Sequence, residues 1–240
     1  MSIDHVYCIN LERRPDRRES AQEQFTKIGI ENVEFFNATD GKLFAPDGIH
    51  ITQPEWGCAY SHIRLWKDML EKGYETVLVF EDDVKISDGF LDKLALVFDD
   101  MKDIDWDYIN LGPSPEPFRI SDVWESEFVK RGLTLMTHCY IITRKGAMKI
   151  AFWDPDDLYF SIDHQLIQVP LKMYYTKETL AAQEFEDYPW VGFMKSVVQG
   201  DIGISRTLPY DFIFKSSKIH WIFVLVILLI YVYYVSHKWR

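Results

Sequence analysis

Positive charge is in short supply in this sequence. Its 240 residues carry 26 Lys and Arg against 37 Asp and Glu, a formal net charge of -11. A surface of that sign does not displace the counterions of a polyanion, which excludes non-specific nucleic-acid binding. Cysteine is scarce too: Cys8, Cys58 and Cys139 are an odd three without metal-ligand spacing. Cys8 and Cys139 sit in the strand-like runs VYCINL and THCYIIT, where cysteine behaves as a small buried hydrophobe. No disulfide scaffold follows, and a reducing compartment is expected. There is no internal repeat. With 48% hydrophobic and 15% aromatic residues, the chain has ample material for a sizeable core. The opening MSIDHVYCIN lacks the basic start and long apolar core of a secretory signal.

One long apolar run is present, near the other end. Trp221 to Val235 reads WIFVLVILLIYVYYV, fifteen residues without a charge. As a helix it would cover roughly 22 Å of a ~30 Å hydrocarbon core. Ile219 and His220 extend it, and Lys218 and Lys238 flank it at snorkelling distance. Residues 212–240, with an apolar core at 219–235, are therefore expected to be a single-pass membrane anchor. Residues 1–211 would form the functional domain and, without an export signal, face the cytosol.

Within that domain, apolar strands alternate with helical patterns. HVYCINL is followed by a helix carrying Ala21, Phe25 and Ile28 and stopped by Gly29; VEFFNATDG ends a second strand. Thr52 and Glu55 have capping-box spacing. Ala59, Ile63, Trp66 and Leu70 then recur at helical intervals up to Gly73. ETVLVFEDD, DYINLG and LMTHCYIIT (135–143) read as further strands, with helices after the first and last. The order predicts an α/β domain built on a mostly parallel sheet, whose ligands bind outside the carboxyl ends of its strands.

At one such end stand Glu81, Asp82 and Asp83. Adjacent carboxylates repel, and burying them unpaired is costly. A divalent cation, Mn2+ or Mg2+, resolves this most economically, since hard oxygen ligands suit it. Strand alternation would point Glu81 and Asp83 the same way and Asp82 elsewhere.

The context sharpens the reading. YCINLERRPDRRE, EWGCAYSH, LVFEDDV, DYINLG and THCYIITRKGAMKI occur in this order. Together they closely resemble glycosyltransferase family 25, which includes bacterial lipopolysaccharide galactosyltransferases and collagen galactosyltransferases. The likeness runs from about Val6 to Ile150 and more loosely to about Ser205. It implies a GT-A-type nucleotide-sugar fold, a UDP-sugar donor and a Mn2+-dependent inverting transfer of a hexose to a glycan, glycolipid or protein acceptor. Carried over by position, it implies metal contacts for Glu81 and Asp83, and donor contacts for Asn10, Arg13, Arg14, Arg17, Glu55, His62 and Asp82. Arginines suit a diphosphate through paired hydrogen bonds. Asp163, in YFSIDHQLI, is the candidate base, and His164 a rival base or a third metal ligand, against the plainer reading of a polar helix start. Gln183 and Gln199 are equal candidates for a C-terminal glutamine of the family.

Two other classes compete with a transferase. A metal phosphoesterase would use the same acids, but a second set of His–Asp ligands is missing. A degenerate, membrane-tethered glycan-binding module would keep the fold without turnover.

Overall fold

The computed structural model describes residues 2–114 and 119–183. The expected anchor at 212–240 and Gln199 lie outside them. Among the described residues no helix is long and apolar enough to cross a membrane.

The chain opens with β1 (His5–Asn10), α1 (Pro15–Ile28) and β2 (Val33–Asn37). Pro15 begins α1, where a missing N–H is harmless, and Gly29 ends it in the left-handed conformation at φ 77°. A single helical turn, α2 (Gly41–Phe44), leads to α3 (Gln53–Lys72). The Thr52–Glu55 capping box is formed, and Gly73 closes α3 at φ 76°. Strand β3 (Thr76–Glu81) turns through Asp82 and Asp83 into β4 (Val84–Ile86), followed by α4 (Phe90–Asp100) and β5 (Tyr108–Asn110). Then come β6 (Ile120–Glu125), β7 (Val129–Leu133), β8 (Cys139–Thr143), α5 (Arg144–Ile150), α6 (Ile162–Leu166), β9 (Met173–Thr176) and β10 (Ala181–Gln183).

Eight strands form one sheet in the order β2-β1-β3-β8-β5-β9-β7-β6, and β4 pairs with β10 in a separate ribbon. The strands alternate their side chains between two layers. Tyr7, Val77, Val79, Tyr140 and Ile142 pack against Ile63 and Trp66 of α3 and Ala147 and Ile150 of α5. Cys8, Leu78, Phe80 and Ile141 pack on the other face against Phe25 of α1 and Leu94 and Val97 of α4. Burial on both faces explains the uninterrupted apolar runs.

The sheet is mixed, not mostly parallel. Pairs β1·β2, β1·β3 and β5·β9 are parallel, whereas β8 runs antiparallel between β3 and β5, and β7 antiparallel to both β6 and β9. A strand buried on both faces carries the same residues whichever way it runs, so direction is not written in its pattern. The consequence is functional. The carboxyl ends of β1, β2, β3 and β5 and the start of β8 meet at one edge. A second correction lies there. The expected strand 135–143 begins only at Cys139, and residues 134–138 make a turn with Met136 at φ 80°.

The opposite edge is held by a buried charge. Asp107 is fully buried, and its Oδ2 accepts from Lys149 Nζ at 2.6 Å and from the Lys172 backbone N–H at 2.8 Å. Burial alone would raise this carboxyl, but Lys149 and the Lys172 amide outweigh it and hold it below its ordinary value. A depressed folded pKa contributes stability above the unfolded value and loses it as pH falls through the folded one. Urea unfolding is expected to show that contribution at neutral pH, with a decline below about pH 4. Asp107→Ala should lower neutral-pH stability by about 2 kcal/mol, since both lysines retain access to water, and should flatten the acid limb. An unchanged acid limb in that variant would refute the assignment.

Candidate active site

A cavity opens at the edge where these strand ends meet. Its walls are Ile9 and Leu11 at the end of β1, Arg13 and Arg17 at the start of α1, residues 38–42 after β2, and Cys58, Ser61 and His62 of α3. Glu81, Asp82 and Asp83 complete it. The 38–42 segment can lie on α3 because Gly57 has no side chain: a Cβ there would fall 2.7 Å from Thr39 O and 2.6 Å from Gly41 N. Ser61 fixes the contact, its Oγ accepting from the Thr39 amide at 2.8 Å.

The three carboxylates point in different directions. β3 ends at Glu81, so strand alternation does not govern Asp82 and Asp83, which occupy the turn. Glu81 faces α3: its Oε1 accepts from Thr137 Oγ1 at 2.7 Å and lies 3.2 Å from His62 Nε2. The pairing expected between Glu81 and Asp83 is found instead between Asp82 and Asp83, which converge on Arg17. One nitrogen of that guanidinium is 3.2 Å from Asp82 Oδ1 and 3.2 Å from Asp83 Oδ2. Asn10 Nδ2 donates to the other oxygen of Asp82 at 2.7 Å, and Gln183 Nε2 donates to Asp83 Oδ2 at 3.0 Å. The remaining oxygen, Asp83 Oδ1, is buried without a hydrogen-bond partner.

Electrostatics follow this geometry. Burial pushes Asp83 up to about 7, the charge of Glu81 adding to it and Arg17 opposing it. Asp82 is raised by burial against the pull of Arg17 and Asn10. Burial would raise Glu81 also, but the hydrogen bonds from His62 and Thr137 prevail and hold it below the ordinary carboxylate range. The His62 tautomer is set from behind. Trp66 Nε1, a pure donor, gives its proton to Tyr140 Oη at 3.0 Å, and Tyr140 turns its own toward His62 Nδ1 at 2.9 Å. The ring proton therefore sits on Nε2, facing Glu81.

The other expected residues separate into those at the cavity and those away from it. Arg13 reaches the cavity and pairs with Asp40. Arg14 pairs with Asp16, and its carbonyl accepts from Asn10 Nδ2. Glu55 is used by the capping box, accepting from the Thr52 amide at 2.9 Å. It lines a separate cleft with His164, where His50 stacks on Tyr159. Asp163 is outside the cavity wall as well. Its oxygens accept from Ser161 Oγ at 2.7 Å, the His164 amide at 2.9 Å and the Met136 amide at 3.2 Å. Hydrogen bonds from His164 and Ser161 overcome burial and keep it below its usual value. Asn110 Nδ2 donates to Met136 O at 2.7 Å, so Asn110 and Asp163 clamp the left-handed Met136 from both sides. Thr137, the next residue, is thereby delivered to Glu81.

Sequence reasoning passed over Asp40, Thr137 and Cys58. Asp40 had a weak signal in the Asp-Gly turn, and Cys58 stands four residues before His62 on one helix. Thr137 had none, because its segment reads as strand.

Residues 3–119 match the model of Glycosyltransferase family 25 (LPS biosynthesis protein). Among curated relatives, a "Glycosyltransferase 25 family member" of Aedes aegypti is 32% identical over 187 residues, covering 69% of this chain and 31% of the relative. Human "Procollagen galactosyltransferase 2" is 26% identical over 216 residues, 78% of this chain and 32% of that protein. A Bos taurus protein named "Probable inactive glycosyltransferase 25 family member 3" is 28% identical, over 65% of this chain and 30% of its own length. The chain thus spans about a third of the length of the curated relatives it matches. Likenesses to solved structures are loose. A galactosyltransferase solved with donor and acceptor sugar analogues aligns over 87% of this chain and 98% of its own at 11% identity and a TM-score of 0.43. The family match falls on β1 through β5, the elements that build the cavity, and by it the chain belongs to glycosyltransferase family 25.

Proposed function

We propose that this chain transfers a hexose, galactose or glucose, from a UDP-sugar to a hydroxyl of a glycan, lipid-linked or protein acceptor, with inversion, on a GT-A-type fold. What carries the reading is one observation: Arg13, Arg17, Asp82 and Asp83 line a single cavity at the carboxyl ends of the strands, with Arg17 in direct contact with both aspartates. Membership of family 25 supports it, and the name of the human relative favours galactose.

The charges explain why both signs are needed. Two like charges 4 Å apart repel by ~4 kcal/mol at an effective dielectric constant of about 20. A diphosphate laid beside Asp82 and Asp83 therefore requires compensation. Arg13 and Arg17 supply fixed positive charge on one side. A hard divalent cation, Mn2+ or Mg2+, fits the other, because Asp83 Oδ1 is a buried oxygen without a partner. Asp83 and Asp82 would hold it, with Glu81 as a neighbouring charge; bound there, it neutralises charge on the leaving UDP. Asn10 and Gln183 orient the two aspartates, and His62 and Thr137 hold Glu81 ionised.

Asp163 enters this reading as a positioning residue. All its described bonds go to the α6 start and the Met136 turn, and its lowered pKa makes it a weak base. A second reading, donor or glycan binding without turnover, draws support from the Bos taurus relative's name and from Arg17 already bridging both aspartates.

A UDP-release assay with UDP-galactose, UDP-glucose and UDP-N-acetyl sugars, with Mn2+ or EDTA, tests the proposal. Turnover of one donor, lost in EDTA and reduced by roughly 100-fold or more in Asp83→Asn, is expected. Mn2+ should raise the melting temperature of wild type but not of Asp83→Asn. Tight UDP binding with no turnover on any donor–acceptor pair would favour the binding module.

Asp163→Asn retains an oxygen for the Met136 amide and should keep transfer within about 10-fold. Asp163→Ala should lose both stability and activity. A loss of ~1000-fold in acceptor-dependent transfer by Asp163→Asn, with donor hydrolysis intact, would make Asp163 the base instead.

Residues 219–235 are proposed to attach the chain to a membrane. The wild-type chain should then resist alkaline extraction from membranes, and Leu225→Lys with Leu229→Lys should release it, each lysine costing about 3 kcal/mol in the bilayer centre. Extraction of the wild type would refute attachment.

A further inference from the structure

Three potential ligands in the cavity are not needed by the oxygen site at Asp83. Cys58 and His62 stand four residues apart on α3 and so share a face, and Glu81 ends β3 opposite them. One donor atom from each, a sulfur, an imidazole nitrogen and a carboxylate oxygen, lies within 4.8 Å of the other two. All three residues line the cavity, which leaves a fourth direction open to solvent or a small ligand.

Each of two ligands has a partner behind it. His62 Nδ1 rests 2.9 Å from Tyr140 Oη, which is anchored by Trp66 at 3.0 Å. Glu81 Oε1 accepts from Thr137 at 2.7 Å. Outer contacts of this kind fix the rotamer of a ligating imidazole and carboxylate. The charges close as well, because a thiolate and a carboxylate together neutralise a divalent cation. Burial above all raises the Cys58 thiol, and the negative charges of Glu81, Asp163, Asp83 and Glu55 add to it, so a bare thiolate there is disfavoured without a cation beside it. The donor set is soft where the Asp82–Asp83 set is hard, so the two select different metals.

We propose that Cys58, His62 and Glu81 form a site for one thiophilic divalent cation, Zn2+ above all, separate from the oxygen site beside it. On binding, the Cys58 thiol releases its proton to solvent. The His62 ring proton passes from Nε2 to Nδ1, the Tyr140 hydroxyl rotates its own hydrogen off Nδ1 so that Oη accepts there, and Nε2 turns its lone pair to the metal. Metal held there occupies the cavity wall and excludes a nucleotide-sugar; this consequence alone rests on the transferase reading, and zinc binding does not.

Co2+ titration of the full chain tests the site without any activity measurement. A sulfur-to-cobalt charge-transfer band, saturating at one metal per chain and abolished by Zn2+, is expected. Zn2+ should also protect Cys58 from alkylation. Cys58→Ser should remove the band, and Cys58→Ser and Glu81→Gln should each weaken Zn2+ binding by roughly 100-fold or more. Thr137→Val, which removes only an outer partner, should cost ~10-fold. Asp83→Asn should keep the band while losing the response to Mn2+. Absence of the band in folded wild type, its persistence in Cys58→Ser, or alkylation of Cys58 unaffected by Zn2+ would each overturn the proposal. A zinc site that binds in a protein inert toward every donor would leave this proposal standing and sink only the transferase reading.

Discussion

Three consecutive carboxylates at the end of a buried strand are the constraint around which the rest of the site is arranged. Left to themselves they would repel and take up protons. The fold separates them by ending the strand after the first. Glu81 is directed to α3 and kept ionised by His62 and Thr137, while Asp82 and Asp83 leave through the turn toward Arg17. One oxygen, on Asp83, is left unsatisfied. Native proteins rarely leave a buried acceptor in that state, and at a cavity floor it marks a place prepared for a ligand.

The support for that arrangement comes from distant parts of the chain. Arg17 belongs to the first helix, Gln183 to the last described strand, and Thr137 to a turn whose left-handed Met136 is gripped by Asn110 and Asp163. Non-glycine residues in that conformation cost of order 1–3 kcal/mol and persist only where their surroundings over-determine them. The antiparallel insertion of β8 between β3 and β5 is what brings the turn to Glu81. A wholly parallel sheet would have started β8 at the far edge, and Glu81 would lack its second donor.

The same crowding places two kinds of donor set side by side. Hard oxygens gather beside Arg17, and a sulfur, a nitrogen and an oxygen gather beside α3. Glu81, at the close of β3, is adjacent in sequence to the first set and directed by His62 and Thr137 into the second.

By itself the sequence determined the local elements and the identity of the acidic motif. Gly29, Gly73 and the Thr52–Glu55 box ended and began helices through backbone rules that act within a few residues. The apolar runs named the strands because burial on both faces leaves no polar alternation to obscure them. The order of five motifs was legible enough to identify the family. Tertiary structure decided strand direction, the split of the acidic triplet, the contact of Gln183 with Asp83, and the positions of Asp163 and Glu55 outside the cavity. The acidic turn shows why: Asp82 and Asp83 meet Arg17 from 65 and 66 positions away, and Asp83 meets Gln183 from 100. Local propensity carries no information about such meetings; only packing of the two layers against the sheet sets them.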